Sequence, residues 1–378
     1  MVTVTEVKTK KQQKAFIDFP LALYKGNDCY VPPLYSDEKK MFRDDFVYND
    51  TCKTAFWLAY RDGELVGRIQ GILQTASNEK TGEKRVRFDR FDSTDDGEVA
   101  AALFGAVEDW ARSIGMDTVV GPLGFSDLER EGLLVEGFDE LSTFEEQYNF
   151  PYYEKLITAQ GYEKEAEWVE FMLKAPKDDD GSLTKMADFV MKRYDLHFGQ
   201  AKNVKDFLTR YGGKFFELLD VAYKDIYGTV PFTPGMIRMT EDNFRLIIDL
   251  KHVAAILDKD EKIVCLGICF PSLARALQKS GGKLTPAALV RVLHDVKHPK
   301  IIDLGLVGVA PEYMNRGVST VICAELIRML NEDGVEYAET NLNLVDNAAI
   351  INQWKRFDTR QHKRRRAYVK KLGTEVTE

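Results

Sequence analysis

The chain has 378 residues, 44% of them hydrophobic, with 22 Phe and 16 Tyr, which is ample for burial but long for one core. We therefore expect two folded domains. The first residues contain no apolar signal segment, and no window approaches about 18 uncharged apolar residues. The sequence thus supports neither secretion nor membrane spanning, and the cytoplasm is the expected location.

The net charge of −8 is unevenly distributed. Residues 355–371 contain nine Lys and Arg residues and one Asp, a balance of +8, so the rest of the chain carries −16. The acidic body disfavours nonspecific binding of nucleic acid. We interpret the basic run as a last strand with a solvated face, and binding to an anionic partner is the alternative.

The five cysteines are scattered along the chain, mostly among apolar residues. Cys265 and Cys269 are close in sequence, but neither a second cysteine pair nor a histidine cluster accompanies them. His294 and His298 fit a solvated turn better than a metal site. We therefore expect free thiols and no bound metal.

Turn and helix signals divide the first half into distinct elements. Phe56–Leu73 consists of two apolar runs joined by Asp62-Gly63, which predicts a hairpin. Val99–Leu123 has the pattern of an amphipathic helix, a glycine stop and a buried strand. The long segment Gly121–Leu156, rich in Gly, aromatic and acidic residues, is either a functional loop or a loop packed on its own aromatic side chains.

The polar stretch Lys174–Leu183, with Pro, Gly and three Asp, predicts a linker. Similar elements follow it. His252–Phe270 predicts a second hairpin, and Val318–Leu342 predicts a second helix, glycine stop and strand, with an extra helical segment at about Ser272–His298. This order favours an internal duplication, and convergent α/β patterning is the alternative.

The stretch from Ile301 to Ser319 joins a buried strand, IIDLGLVGV, to the loop APEYMNRG and the start of a helix. Pro311 ends the strand, and the loop contains one glycine, Gly317, next to Arg316. A helix that begins in such a loop presents unpaired N–H groups and the positive end of its dipole, which favours an anion such as phosphate. An ordinary structural turn is the alternative.

This stretch resembles the phosphate loop of the GNAT superfamily of acyl-CoA N-acyltransferases. VAPEYMNRGVS corresponds to a V-x-P-x-[YF] strand end followed by [QR]-x-x-G-x-[GA]. Further on, NAAIINQWKRFD resembles the family segment N-x-x-A-x-x-x-Y-x-x-x-G-F. The resemblance implies that acetyl-CoA or another acyl-CoA is a co-substrate bound by Val307, Val309, Met314, Asn315, Arg316, Gly317, Val318, Ser319 and Asn347.

The resemblance also implies two tandem GNAT-like domains of the α/β (α+β) class, each with a mixed central sheet flanked by helices. We place a GNAT-like domain with a degenerate cofactor loop at residues 1–175 and an acyl-CoA-binding domain at residues 184–378. The first loop, Phe91–Ala100, contains four carboxylates around Gly97. These would repel a pyrophosphate, so we expect the first domain to lack a CoA site and to shape the substrate cleft.

Three positions depart from the family pattern. Met314 stands in place of Gln or Arg, and Ser319 in place of Gly or Ala. Trp354 stands in place of the tyrosine that often protonates the departing thiolate in this family. Tyr313 and Tyr368 are possible substitutes on position alone, and the basic run could also hold the 3′-phosphate of CoA.

Amine acylation requires a base for the nucleophile and donors that polarise the thioester carbonyl. Asp303 lies on the strand before the loop, and Glu339 lies on the next predicted strand, with Asn341 and Asn343 on the same face. We take Glu339 as the first candidate base and Asp303 and Tyr313 as further catalytic candidates. A hydrogen-bonded ladder without chemistry is the alternative.

These observations predict an acyl-CoA-dependent N-acyltransferase that transfers an acetyl group to the amine of a small molecule or peptide. One alternative is a noncatalytic acyl-CoA sensor or interaction protein, favoured by the absent tyrosine. Another is a transferase that takes an aminoacyl group from tRNA, against which the acidic body and the phosphate loop argue. No membrane partner is expected, and nucleic acid is not an expected partner either.

Overall fold

The computed structural model describes residues 1–178, 180–332 and 334–373. The chain divides into two compact units. The first contains Met1–Trp168, Ala274–Ala288 and the C-terminal segment that begins at Lys363, and the second contains Val169–Leu273 and Leu289–His362. The chain therefore changes unit four times, and the first change falls before the linker predicted at residues 174–183.

Helices and strands are distributed along the whole described chain. Those up to residue 174 are β1 (Val2–Glu6), α1 (Lys10–Leu23), α2 (Tyr35–Lys40), β2 (Cys52–Arg61), β3 (Glu64–Gln74), α3 (Thr75–Thr81), β4 (Arg85–Ser93), α4 (Gly97–Ser113), β5 (Thr118–Gly121), β6 (Leu133–Glu136), α5 (Tyr153–Thr158) and β7 (Glu163–Lys174). The later ones are α6 (Ser182–Arg193), β8 (His197–Phe198), α7 (Val204–Phe207), α8 (Gly213–Ala222), α9 (Pro234–Ile247), β9 (Val253–Leu257), β10 (Ile263–Pro271), α10 (Ala274–Ser280), α11 (Pro286–Lys297), β11 (Ile301–Val309), α12 (Val318–Leu330), β12 (Tyr337–Glu339), β13 (Asn343–Leu344), α13 (Ala348–Trp354) and β14 (Asp358–Lys371). Among the described helices, none combines the length and the apolar composition needed to cross a bilayer.

The strands of the first unit follow the order β1-β2-β3-β4-β5-β14, and β6 pairs with β14. Neighbours are antiparallel except β4 and β5, which are parallel. The predicted hairpin is β2–β3, and its turn residues Asp62 and Gly63 have φ of 51° and 88°. Two positive φ angles in a row are the backbone of a type I′ turn, which follows the natural twist of the strands. The apolar core joins Ile69 and Phe88 of the sheet to Leu103 of α4.

The strands of the second unit follow the order β12-β11-β10-β9-β8, and residues 169–174 of β7 lie beside β12. Only the pair β11–β12 is parallel among these neighbours in the described chain. Helix α12 packs Leu326 and Ile327 in one cluster with Ile302 of β11 and Ala338 of β12. The helix therefore covers the two parallel strands that it connects.

Both units repeat one order of elements: an antiparallel hairpin, a strand, a helix, and a strand parallel to the previous one. In the first unit these are β2–β3, β4, α4 and β5, and in the second β9–β10, β11, α12 and β12. The extra helical segment expected near residues 272–298 is present as α10 and α11. The predicted fold class is confirmed, and the repeated order supports the duplication.

The basic run near the C-terminus forms β14, as predicted, and one of its two faces is buried. Lys363 and Arg365 are only 1% and 0% exposed. Arg366 is partly exposed, and its Nη1 lies 2.8 Å from Oε1 of Glu154 while its Nε lies 2.6 Å from Oε1 of Glu167. Acidic residues of the first unit therefore compensate positive charge on this strand.

Replacing Arg366 by Met should destabilise the first unit, because Glu154 and Glu167 lose a partly buried partner while the aliphatic stem is retained. We expect the free energy of urea unfolding to fall by about 1 to 2 kcal/mol. As a matched control, Arg43→Met removes a pair with Asp45 on the open surface and should leave the unfolding midpoint unchanged. Equal effects of the two substitutions would contradict the role assigned to Arg366.

Candidate active site

The parallel strands β11 and β12 pair over only three residues and then part. The last paired residues are Asp303 and Glu339, and in the described chain the ladder does not continue beyond them. Strand β12 ends at Glu339, whereas β11 continues to Val309. One side of β11 is thereby left without a paired strand over its second half, while the other side stays paired with β10.

A β-bulge marks the place where the strands part. Ile268 faces Leu306 and Cys269 faces Leu304, so Gly305 is an extra residue on β11. A Cβ on Gly305 would lie 2.2 Å from Cε2 of Phe270, so this position requires glycine. The bulge therefore depends on a close contact between the backbone and an aromatic ring.

Asn341 follows the end of β12 and contacts the bulge of β11. Its Nδ2 donates to the carbonyl oxygen of Gly305 at 3.3 Å. Its Oδ1 is buried and has no hydrogen-bond partner among the residues that the structure describes. An acceptor without a donor thus lies beside the bulge.

The predicted phosphate loop follows the free end of β11. Residues Pro311–Tyr313 form a single 3₁₀ turn, Asn315 and Gly317 have φ of 61° and 81°, and α12 begins directly after Gly317. Arg316 lies over the rings of Tyr313 and Tyr194, at 5.3 and 5.6 Å from their centres. The loop therefore brings a positive φ glycine and a cation to the start of a 13-residue helix.

The helix that occupies the same place in the first unit begins differently. The Oδ1 atom of Asp96 accepts hydrogen bonds from the N–H groups of Glu98 and Val99 at 3.0 and 3.4 Å. Arg61 pairs with both Asp96 and Glu98. In α12, by contrast, Gly317 is the cap, and no described side chain caps the helix. The first helix thus holds a carboxylate of its own where the second leaves backbone N–H groups uncapped.

The other predicted cofactor residues take different positions. Met314 is 51% exposed on the loop, and Val318 is 1% exposed in the core of the unit. Val307 and Val309 lie on β11, where the carbonyl of Val307 accepts a hydrogen bond from the hydroxyl of Tyr223 at 2.8 Å. Two polar residues complete the set: Ser319 lies in the first turn of α12, and Asn347 caps α13 by accepting from the N–H of Ile350.

Glu339 lies in a buried cluster that the sequence did not reveal. Glu170, Glu339 and His362 are 0%, 4% and 8% exposed, and one ligand atom from each lies within 4.8 Å of the others. Oε1 of Glu339 is 3.4 Å from Nε2 of His362. His362 stood within the basic run and Glu170 before the predicted linker, so neither carried a local signal of this role.

Asp303 lies beside Glu339 in the β11–β12 ladder and is fully buried. Burial raises the pKa of the neighbouring Cys269 thiol to about 12, and the charge of Asp303 adds to this effect. Cys269 is therefore a protonated thiol at neutral pH. All five cysteines have free thiols, as predicted.

Glu170, Glu339 and His362 are also the residues that could hold a metal ion. Zinc lies about 2.0 to 2.2 Å from each of its nitrogen and oxygen ligands. Two ligands of one tetrahedral ion at this distance lie about 3.4 Å apart. The separation of 3.4 Å between Glu339 Oε1 and His362 Nε2 therefore fits a shared ion as well as a weak hydrogen bond.

The two tyrosines considered as acids do not join this cluster. Tyr313 follows the far end of β11, roughly 20 Å along the strand from Asp303 at the usual rise per residue. Its ring packs with Arg316, and burial raises the pKa of its hydroxyl. Tyr368 belongs to the first unit, where its hydroxyl donates to Glu154 at 2.6 Å.

The predicted alternation of Glu339, Asn341 and Asn343 on one strand is wrong, because β12 ends at Glu339. Asn343 lies in the short strand β13, where its Nδ2 donates to Thr340 Oγ1 at 2.9 Å. Its Oδ1 accepts from the indole N–H of Trp354 at 3.1 Å. For Asn343, the alternative of a hydrogen-bonded structural role is therefore the better description.

No protein-family model matches the chain. Two curated relatives align with most of it. Protein YghO of Escherichia coli (strain K12) is 26% identical over 372 residues, covering 96% of this chain and 94% of that protein. The bacterial ceramide synthase of Caulobacter vibrioides (strain NA1000 / CB15N) is 28% identical over 319 residues, covering 82% and 81%.

Solved structures resemble the whole chain. A tandem GNAT protein from the clavulanic acid biosynthesis pathway matches 99% of this chain and 100% of its own, with a TM-score of 0.54 and 12% identity. A GCN5-related N-acetyltransferase from Sphaerobacter thermophilus matches 98% and 95%, with a TM-score of 0.51 and 11% identity. The chain therefore has the fold of the GNAT superfamily of acyltransferases. More particularly, it has the tandem form of that fold, which confirms the resemblance predicted from the sequence.

Replacing Trp354 by Phe should destabilise the second unit, because Oδ1 of Asn343 loses its indole donor in a buried position. We expect the free energy of unfolding to fall by about 1 to 3 kcal/mol, as measured by urea titration. Trp354→Phe with unchanged stability would show that the hydrogen bond to Asn343 contributes nothing to the packing of α13.

Proposed function

We propose that the protein is an acyl-CoA-dependent N-acyltransferase whose second unit binds acetyl-CoA or another acyl-CoA. The acceptor is the amine of a small molecule or peptide, in the cytoplasm. The observation that carries this proposal is the start of α12, where Gly317 leaves the helix N-terminus uncapped at the end of a half-unpaired strand. The coarser class, an acyltransferase fold, is also that of the solved relatives.

In this proposal, the cofactor occupies the unpaired side of β11. The second half of this strand has no paired strand on that side, so an extended chain could add there as a further strand, in place of the Asn341 and Tyr223 side chains that bond the carbonyls of Gly305 and Val307. The amide-containing arm of an acyl-CoA is such a chain, and its pyrophosphate would then meet the loop from Met314 to Gly317. The N–H groups of the first turn of α12 and the guanidinium of Arg316 would bind that anion.

The reaction then takes place near the point where β11 and β12 part. The amine nitrogen attacks the thioester carbonyl carbon, the carbon–sulfur bond breaks, and the CoA thiolate leaves. Glu339 accepts the proton that the amine loses, and His362, 3.4 Å away, holds the carboxylate in position. The unpartnered Oδ1 of Asn341 would accept a hydrogen bond from the acceptor amine beside the bulge.

The distance of Tyr313 along the strand argues against it as the acid for the thiolate. We therefore keep Glu339 and Asp303 as the catalytic candidates. The CoA thiolate is a weak base and can take its proton from water. Burial of Trp354 with its N–H bonded to Asn343 leaves that side chain no proton to give.

Other observations bear on the alternatives. Arg366 of the basic strand pairs with Glu154 and Glu167, which disfavours the use of this strand for RNA or for the 3′-phosphate of CoA. Amide formation is the chemistry implied by the name of the Caulobacter relative, a ceramide synthase, and it agrees with N-acylation. A noncatalytic acyl-CoA sensor would use the same loop but would not need a buried Glu339.

Gly317→Glu should abolish binding of acetyl-CoA, because it places a carboxylate and a side chain at the N-terminus of α12. Gly334→Glu is a matched control: this glycine also has a positive φ, 90°, but follows the other end of the same helix. Isothermal titration calorimetry should detect binding to the wild type and to Gly334→Glu, with at least a hundredfold loss in Gly317→Glu. Equal binding by both variants would place the cofactor elsewhere.

Glu339→Gln should lower kcat by about 10² to 10⁴-fold while leaving acetyl-CoA binding intact, because a carboxamide cannot accept the amine proton. Glu336→Gln, three residues earlier and exposed, is the matched control and should retain activity. The measurement is release of free CoA thiol from acetyl-CoA in the presence of a set of primary amines. If the wild type binds acetyl-CoA but no amine accelerates release, the sensor is the correct alternative.

A further inference from the structure

Helix α11 has apolar side chains on the side that faces solvent. Ala288 and Val292 are 0% and 5% exposed, so they mark the side of the helix that packs against the rest of the protein. Val290 lies almost opposite Val292, because residues two positions apart on a helix differ by about 200° in direction. Val290 is 67% exposed, and Leu289 and Leu293 are 44% and 47% exposed. A surface helix of a globular protein normally has charged or polar residues on its outer side.

The start of this helix is defined by its own sequence. Pro286 is the first helical residue, where its fixed φ and missing N–H are compatible with a helix. Oγ1 of Thr285 accepts a hydrogen bond from the N–H of Ala288 at 3.2 Å, which is the contact of a helix cap. Helix α11 therefore holds Leu289, Val290 and Leu293, here called the outer strip, in a fixed arrangement before anything covers them.

Positive charge accompanies the outer strip. Residues 286–300 contain three Lys and Arg residues and one Asp, a balance of +2, so the rest of the chain carries −10. Lys300 is paired with Glu336 across 3.7 Å. Arg291 and Lys297 are exposed, and neither forms an ion pair with a carboxylate in the part of the chain that the structure describes. The outer strip is thus accompanied on its own helix by two cations whose charge the described chain does not compensate.

These features distinguish between the occupants that could cover the outer strip. If the strip packed against the same strip of a second copy, Arg291 and Lys297 of the two copies would come together, and like charges repel. Three side chains of one helix are also few beside the roughly 800 Å² that each partner buries in a stable protein interface. An anionic lipid bilayer requires no matching shape, and it offers an apolar phase next to negative charge.

We propose that α11 lies flat in the interface of an anionic phospholipid bilayer. The outer strip enters the acyl chains, and Arg291 and Lys297 lie at the headgroup phosphates. The 12 residues of α11 are too few to cross the bilayer, but a helix that lies flat does not need that length. The expectation of no membrane partner depended on the absence of a spanning segment, which does not bear on this mode of binding. Because three aliphatic side chains and two cations take part, the binding is weak and reversible. It does not depend on the acyl-CoA site.

The test is cosedimentation of the full-length protein with sucrose-loaded vesicles, without acyl-CoA. The vesicles consist of phosphatidylcholine with about one third phosphatidylglycerol, and vesicles of pure phosphatidylcholine are the comparison. A double variant, Val290→Ser with Leu293→Ser, changes exposed positions and should fold, and it should bind the anionic vesicles at least tenfold more weakly. The matched control is Val221→Ser with Leu246→Ser, because these side chains are also exposed but belong to α8 and α9. The control should bind like the wild type.

A second α11 variant, Arg291→Gln with Lys297→Gln, keeps the outer strip and should weaken binding to the anionic vesicles about tenfold. Binding of the wild type that both α11 variants lose and the control retains supports the proposal. The proposal is overturned if the wild type does not cosediment with anionic vesicles or binds both kinds of vesicle equally. It is also overturned if either α11 variant binds like the control.

Sedimentation velocity without vesicles tests the other occupant. The wild type and the Val290→Ser, Leu293→Ser variant should have the same oligomeric state. A wild-type dimer that this variant dissociates would identify the outer strip as an interface between copies and would overturn the proposal. None of these results depends on acyl-CoA binding or on turnover, so they are separate from the tests of the proposed function.

Discussion

A side chain cannot be placed on Gly305, because its Cβ would meet the ring of Phe270 at 2.2 Å. With only hydrogen at this position, β11 can take one extra residue against β10 and bend away from β12. The arrangement of the second unit depends on that bend. It ends the parallel ladder at Asp303 and Glu339, leaves one side of β11 unpaired, and directs this side toward the loop before α12.

The two units have the same order of elements, but the helices that follow their central strands begin in different ways. In the second, the helix after the central strand begins at a glycine and has an uncapped start, which suits an external anion. In the first, the corresponding helix is capped by Asp96, whose carboxylate pairs with Arg61. The two units thus share one order of strands and helices, but only the first fills its helix N-terminus with a carboxylate of its own.

Local patterns in the sequence were sufficient for much of the fold. The Asp62-Gly63 turn, the helix before Gly115 and the loop at Gly317 each depend on residues within a few positions of one another, and the structure has them all. The cluster of Glu339, Glu170 and His362 does not arise in this way. Its members come from three different strands, so only the pairing of distant segments brings them together.

The basic strand β14 is a second case in which distant residues decide an outcome that the local sequence does not predict. A run of cations on a strand predicts at least one solvated face, since charge normally faces water. Arg365 is nevertheless fully buried, and Arg366 pairs with Glu154 and Glu167, which lie some 200 residues earlier. The sequence shows the excess of positive charge, but it does not show that Glu154 and Glu167 lie beside this strand after folding.

The order in which the chain is synthesised meets a constraint in this architecture. The sheet of the first unit includes β14 next to β5, so this unit is not complete until the ribosome has made the chain as far as Lys371. While the second unit is being translated, the edge of β5 that later pairs with β14 is exposed. Exposed edges of this kind invite pairing with other chains. A truncation that keeps only the first half would make this waiting state permanent, and it would be expected to aggregate instead of yielding an independent domain.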